Sequence, residues 1–401
     1  MKKTWVSIPD VLFFQEGPGV RNTQYTTEGV KLLNVANLVD GKIDLSTSDR
    51  YISEEEAYGK YKHFLCDAGD FIIASSGIKV EYIDKKMGFV DDTMLPLCMN
   101  TSTIRFKVLD EKQLRIRYFM YYLKSQNFKE QLFRQITGSA QLNYGPSHLK
   151  KMIIPLISLG KQDEIVACMD KVQNIIDMRQ QELVYLDDLI KARFVEMFGD
   201  MYLNSKGWSE AKLESMADVV SGITKGRKTK SEDLTEVPYM AVSNVKDGYI
   251  DWTTVKTIEA TQQEIEQYRL LADDVLMTEG GDPDKVGRGA IIKEPLENCI
   301  HQNHIFRVRL DESVMLPEFF AEYLQHQRSK RYFLGCAKQT TGIASINMTQ
   351  LRALPVLMPP LSKQEEFVLF KAQVNKSKVA VQKALDETQV LFDSLMQKYF
   401  G

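Results

Sequence analysis

The chain has 401 residues, 44% of them hydrophobic, enough to give two or more domains cores of their own. No apolar run approaches the roughly 20 residues a membrane-crossing helix needs, and the opening Met1-Lys2-Lys3-Thr4-Trp5 lacks the apolar core and cleavage site of a leader, so a cytoplasmic protein with no membrane partner is expected. A formal net charge of -3 excludes a uniformly basic nucleic-acid binder, and the five cysteines, Cys66, Cys98, Cys168, Cys299 and Cys336, form no Cys-x-x-Cys pair for zinc or redox chemistry and read as small buried hydrophobes.

Taken in chain order, the predicted elements occur twice, at a displacement of about 200 residues. The stretch Val30 to Asp44 matches Val237 to Asp251, pairing Asn37 with Asn244, Asp40-Gly41 with Asp247-Gly248 and Asp44 with Asp251. Apolar alternation on either side of an Asp-Gly pair predicts strand, turn and strand in both copies. Ala68-Gly69-Asp70-Phe71-Ile72-Ile73 then mirrors Asp273-Asp274-Val275-Leu276-Met277, a turn followed by a buried strand. Thr137 to Asn143 matches Thr341 to Asn347, and each leads through an apolar, proline-containing stretch to Gln162 or Gln364.

The last repeated element is helical. Residues 162–199 align with 364–401 without a gap, with nine identities in 38 positions, including Gln162 with Gln364, Gln180 with Gln382 and Phe198-Gly199 with Phe400-Gly401; chance gives roughly two or three. Apolar residues recur at steps of three and four: Ile165, Met169, Val172, Ile176, Leu183, Leu186, Ile190 and Met197, then Phe367, Val374, Val381, Leu385, Phe392, Leu395 and Tyr399. Arg179 and Arg193 interrupt the first seam, and Lys371, Lys378 and Thr388 the second. The pattern predicts two long helices pairing with each other, with Ser158 and Ser362 as caps and Pro359-Pro360 blocking any earlier start of the second.

Thr137-Gly138-Ser139-Ala140-Gln141-Leu142-Asn143 followed by Ile153-Ile154-Pro155-Leu156, and Thr341 to Asn347 followed by Leu354-Pro355 to Pro359-Pro360-Leu361, resemble the paired motifs of type I restriction-modification specificity subunits. The resemblance covers essentially the whole chain; the first copy lacks the double proline, and the second has Ile343 and Ser345 where Ser and Gln are expected. It implies an α+β fold with a pseudo-twofold internal repeat: two target-recognition domains with twisted, mostly antiparallel sheets, separated by two long helices in an antiparallel coiled coil. The expected divisions are 1–160 for the first recognition domain, 161–203 for the central helix, 204–362 for the second domain and 363–401 for the terminal helix. It further implies that each domain reads one half of a split, asymmetric site in double-stranded DNA, and that the helices hold the halves apart while docking two modification subunits and the restriction subunits. Catalysis, and with it S-adenosylmethionine, ATP and Mg, would then belong to those partners, leaving this chain without a cofactor of its own. The chain agrees in having no Gly-Lys-Ser phosphate loop and no Asn-Pro-Pro-Tyr-like catalytic loop; Gly280-Gly281-Asp282-Pro283 is the nearest imitation and reads as a turn.

Base readout needs Arg, Lys, Asn and Gln at base edges, over a platform of phosphate contacts. Basic and acidic residues are balanced in both halves, 21 against 18 in residues 1–160 and 19 against 22 in 208–363, so a DNA surface must be made locally. In the second half Lys225, Arg227, Lys228 and Lys230 crowd around Gly226, and Lys285 and Arg288 occupy a second loop. In the first half the counterparts are Arg21 and Asn22, and Lys79, Lys85 and Lys86 around Tyr82. Asn100 to Ser102 and Gln302 to His304 are weaker candidates, since such residues commonly cap turns. His301 and His304 lack nearby ligands to complete a metal set, and a structural role is expected. Two other classes stay open at this level: a two-domain adaptor that binds only proteins, and a diverged methyltransferase or nuclease.

Overall fold

The computed structural model describes residues 3–136, 142–227, 233–282, 286–340 and 343–401. The chain divides into two compact units, residues 1–180 with 383–401, and residues 181–382.

In the first unit, a four-stranded antiparallel sheet runs in the order Leu12–Glu16, Thr103–Val108, Phe71–Ala74, Met87–Phe89. The Phe71–Ala74 strand is buried on both faces, which explains its unbroken apolar run. A smaller sheet places Val30–Leu33 between a parallel Leu97–Met99 and an antiparallel Tyr51–Ile52. The helices Ile116–Lys124 and Gln126–Gln135 close the core with Phe119, Tyr122 and Phe128, all fully buried. Thr4–Ser7 pairs with Ile153–Leu156, tying the early chain to the strand that leads into the first long helix.

The second unit repeats this plan. Its four-stranded sheet is Ala217–Ser221, Ile305–Leu310, Val275–Thr278, Gly289–Ile291; one of its three-stranded sheets places Thr235–Met240 between Lys256–Ala260 and a parallel Ile300–His301. Ser209–Lys212 pairs with Pro355–Met358 as Thr4–Ser7 pairs with Ile153–Leu156. The prolines of these short sheets hold matched places, since Tyr118 donates to the Pro155 carbonyl at 3.0 Å and Tyr323 to that of Pro355 at 2.8 Å.

Each four-stranded sheet is anchored by a buried aspartate just before one of its inner strands. Asp70 accepts from Asp67 N at 2.9 Å and faces Arg105 at 3.2 Å and Lys107 at 3.1 Å. Asp274 accepts from Leu271 N at 2.7 Å and from Arg309 at 2.7 and 2.8 Å. A buried carboxylate is tolerated only when its charge and lone pairs are met in this way.

The Asp-Gly hairpins are shorter than the alternation predicts. After Val30–Leu33 the chain turns through a 3₁₀ helix, Val35–Asn37, and the hairpin keeps two residues on each side, Leu38–Val39 and Lys42–Ile43. Asn37 causes the break: its fully buried amide accepts from Asn34 N at 2.9 Å and donates to Asp44 O at 3.1 Å and Thr47 Oγ1 at 3.2 Å. Asn244 does the same, accepting from Ala241 N at 2.9 Å and donating to Asp251 O at 2.9 Å and Thr254 Oγ1 at 3.3 Å, and there only a single bridge, Val245 with Ile250, remains. A side chain that hydrogen-bonds its local backbone competes with the ladder and here wins.

The long helices are Leu159–Phe198 and Leu361–Phe400. Within the first unit Ile165, Met169, Val172 and Ile176 pack with Phe392 and Phe400; within the second, Ile190, Phe194 and Phe198 pack with Phe367 and Val374. Pairing is antiparallel, with Arg179 on Ala384 and Thr388, Asp187 on Lys378, and Arg193 on Glu366. The residues that break each apolar seam therefore find polar partners: Arg179 donates to the buried Thr388, Lys378 meets Asp187 at 2.5 Å, and Lys371 meets Glu322 at 2.7 Å. The helix starts differ from expectation at one end. Ser158 immediately precedes its helix, but Ser362 lies in the first turn of the other, whose Lys363 and Gln364 amides reach back to the Pro360 carbonyl.

The repeated glutamines explain themselves. Gln162, fully buried, accepts from Arg115 N at 2.9 Å and donates to Gln113 O and Ile157 O, both at 2.9 Å. Gln364, equally buried, accepts from Leu316 N at 2.9 Å and donates to Val314 O at 3.1 Å and Pro359 O at 2.9 Å. Each latches the start of a long helix to the loop before its domain's helix pair. The repeated phenylalanines close the other ends: the Phe400 ring packs tilted against Tyr118 with centroids 5.2 Å apart in the first unit, and Phe198 packs edge-to-face on Phe319 at 4.8 Å in the second. Of the cysteines, Cys66, Cys98 and Cys299 are buried as expected, while Cys168 and Cys336 are only half-buried.

Candidate nucleic-acid interface

In the first domain the central strand Phe71–Ala74 runs on into Ser76–Ile78, which pairs with Leu142–Asn143. The repeated Thr137 to Gln141 stretch just before that pair lies outside the described residues, as do Thr341 and Gly342 of the other copy. Next comes a 3₁₀ helix, Val80–Lys85, entered from Lys79. Its fully buried Ile83 anchors it, which leaves Lys79, Tyr82 and Lys85 exposed. Lys85 Nζ sits 5.6 Å from the Tyr82 ring centroid, within cation-π range. Lys79, Lys85 and Lys86 line one cleft of about 480 Å³ with Val39, Asp40, Gly77 and Tyr82. The Asp-Gly hairpin forms its opposite side, its tip held where Gly41 N donates to Lys85 O at 3.1 Å. Three of the sequence candidates are thus brought together. Arg21 and Asn22 stay exposed on the separate 3₁₀ segment Asn22–Gln24 and do not line this cleft.

The second domain places Arg288 where the first has Lys86. The Ala74 amide donates to Lys86 O at 2.9 Å, and the Thr278 amide to Arg288 O at 3.0 Å, at the same step off the central strand. Arg288 forms no ion pair among the described residues, and Lys285 lies outside them. The neighbouring Gly280–Gly281 is a short strand on Ala344 and Ser345 rather than the predicted turn, because the backbone of the repeated motif supplies it with a partner.

The Lys225 to Lys230 loop is only partly described. Lys225 is exposed beside Gly226, whose φ of +73° suits glycine, and Lys228 and Lys230 fall outside the described residues. Arg227 is engaged: its Nε and Nη2 reach the Glu264 carboxylate at 2.5 Å each, and Nη2 also donates to Glu259 O at 3.0 Å. The Arg227 hydrogen bonds hold Glu264 down to about 2. Sequence reading missed Glu264, although Thr261-x-x-Glu264 is a capping-box pattern; Thr261 N donates to Glu264 Oε2 at 2.9 Å and Glu264 N to Thr261 Oγ1 at 3.2 Å.

Asn100 is buried, accepting from Val20 N at 3.3 Å and Thr101 N at 2.8 Å and donating to Asn34 Oδ1 at 2.8 Å, so it shapes the loop from within. His301 and His304 have different surroundings. His301 is fully buried and kept neutral, its pKa pushed down to about 3 by burial and then by Arg307, whereas His304 is exposed and meets Glu279 at 2.5 Å. No cluster of three or more His, Cys, Asp or Glu suited to a metal occurs among the described residues, and none of their helices is long and apolar enough to cross a membrane.

A family model described as the type I restriction modification DNA specificity domain matches twice, over residues 25–186 and 205–387. The chain is 22% identical over 308 residues to the EcoKI specificity subunit of Escherichia coli (strain K12) and 24% identical over 309 residues to the StySPI specificity subunit of Salmonella potsdam; each alignment covers 72% of this chain and 66% of the relative, just under two thirds of its length. Two solved structures share the fold at 16% identity. The S subunit of a type I restriction-modification system from M. genitalium matches with a TM-score of 0.53 over 100% of this chain and 96% of that one. A chain from work on complex assembly and conformational transition of the type I R-M system matches at 0.59 over 99% and 97%. With the family model covering both halves, and both halves repeating one α+β plan, the chain belongs to the type I restriction-modification DNA specificity family.

Proposed function

We propose that this chain reads a bipartite, asymmetric site in double-stranded DNA, one half per domain, as the specificity subunit of a type I restriction-modification complex. It contributes recognition and no catalysis. Two modification subunits and the restriction subunits supply the chemistry, together with S-adenosylmethionine, ATP and Mg. The observation that carries the reading is the cleft of Lys79, Lys85 and Lys86 around the exposed Tyr82, which follows the strand Ser76–Ile78 that pairs with Leu142–Asn143, and which is matched in the second domain by Arg288. Clustered lysines supply phosphate contacts without making the chain basic as a whole.

Changing Lys79, Lys85 and Lys86 together to Ala tests it. Each lost phosphate contact reduces the slope of log K against log salt by about 0.9, so the triple variant should bind duplex DNA more weakly, with a slope flatter by about 2 to 3. The parallel variant of Lys225, Arg227, Lys228 and Lys230 should flatten it less than four free lysines would, because Arg227 is already paired. Unchanged affinity and slope in both variants would remove these loops from the interface and favour a purely protein-binding adaptor. Stoichiometric binding of the methyl donor to the isolated chain, measured by calorimetry, would instead place an enzyme here.

A further inference from the structure

The cleft contains one group that does not belong with phosphate. Asp40 lines it with Lys79, Lys85 and Lys86, at the hairpin tip, in a left-handed conformation with φ of 46°. Turn chemistry accounts for the backbone, since Asp and Asn tolerate that region better than most residues. It does not account for the charge.

The internal repeat supplies a comparison. The matching residue of the second domain, Asp247, is 3.6 Å from Lys330. Lys330 is the fourth residue after His326, which precedes the helix Gln327–Cys336. The first domain has the same lysine at the same place: Lys129, the fourth residue after Ser125, on the helix Gln126–Gln135. There, however, Lys129 is drawn elsewhere, to Asp84 at 3.2 Å and the Glu81 carbonyl at 3.0 Å. Asp84 belongs to the Val80–Lys85 segment that carries the cleft's cations. The outcome is that the Asp40 side chain makes no hydrogen bond and no ion pair among the described residues, although three lysines line the same cleft.

A phosphate entering this cleft is attracted by the lysines and repelled by Asp40. The carbonyl and ring-nitrogen acceptors of base edges are repelled in the same way. In the major groove, the DNA groups that satisfy a bare carboxylate acceptor are the exocyclic amino groups N4 of cytosine and N6 of adenine. We infer that Asp40 is a base-reading residue of the half-site bound by the first domain, accepting a hydrogen bond from the exocyclic amino group of one cytosine or adenine. The lysines hold the backbone on either side, and Asp40 selects. This rests on the DNA-reading function proposed above.

The test selects bound sequences from random duplex DNA with the full-length wild-type chain and with Asp40→Asn, Asp40→Gly and Asp247→Asn. Asn and Gly both accept a positive φ, so the hairpin survives either change. Asp40→Gly should lower discrimination at one position of one half-site by about fivefold or more, leaving all other positions unchanged. Asp40→Asn should alter the preference at that same position, because an amide also donates. Asp247→Asn should leave the motif as it is. If both Asp40 variants select the wild-type motif with wild-type discrimination, including the case where they merely bind every duplex more tightly, the carboxylate only repels phosphate and the inference is wrong. A wild-type chain that selects no motif would overturn the DNA-reading function itself, and this inference with it.

Discussion

Replacing Gln162 with Ala isolates what the repeated glutamine does. The change removes one acceptor and two donors from a fully buried site and leaves the Arg115 amide and the carbonyls of Gln113 and Ile157 without those partners. Each buried group left unpaired costs about 1 to 3 kcal/mol, and water admitted to the space returns part of that, so a loss of about 3 kcal/mol is expected. A unit of roughly 200 residues shifts its melting temperature by about 2 to 4 °C per kcal/mol, which puts the effect at about 6 to 12 °C. Denaturant titration and calorimetry read the loss, and hydrogen exchange at the Arg115 amide should rise more than at the buried strand Phe71–Ala74. Gln180→Ala is the control: it is also an identity of the repeat, but its side chain is exposed, and its stability effect should be near zero. Gln162→Glu should be worse than Ala at neutral pH, because a carboxylate would face two carbonyl oxygens, and should recover in acid as the carboxyl gains a proton to donate. A loss below about 1 kcal/mol for Gln162→Ala, or equal effects at Gln162 and Gln180, would refute the latch.

Three further outcomes follow from the site. Glu264 is held below its ordinary value, at about 2, so its contribution to the second domain is complete above about pH 4.5 and is lost as pH falls toward 2; acid titration of Glu264→Gln should lack that component, and if wild type and variant lose stability in parallel, the Arg227 pair is not its source. Gly222→Ala should destabilise severely, because a Cβ there would lie 1.9 Å from the His301 carbonyl oxygen, and Gly17→Ala should do the same against the Asn100 carbonyl at 2.0 Å; a soluble variant with a wild-type melting temperature would show the backbone to be free to move. Exchanging residues 1–160 for the matching domain of a relative should change one half of the recognised sequence, as read by methylome sequencing, whereas a change in both halves would contradict independent reading.

The sequence by itself determined the repeat, the long helices and the buried central strands, because each rests on local periodicity. Three-four spacing from Ile165 to Met197 requires a helix with an apolar seam whatever surrounds it, and the unbroken run at Phe71 to Ile73 suits a strand covered on both faces. It also pointed to Lys79, Lys85 and Lys86 as a local basic group. What it could not decide was which charges remain unmatched, since that depends on neighbours distant in the chain. Arg227 and Lys225 look alike in sequence, yet Glu264, 37 residues on, occupies the first and leaves the second exposed. Asp40 and Asp247 align within the repeat, yet a lysine from a helix far along the chain neutralises only Asp247. The broken hairpins belong here too: alternation favoured continuous strands, and the buried amides of Asn37 and Asn244, held by backbone and threonine groups seven to ten residues away, redirected the chain. Periodicity is a property of neighbours along the chain, whereas charge pairing and polar satisfaction are properties of neighbours in space, and only the folded chain brings those together.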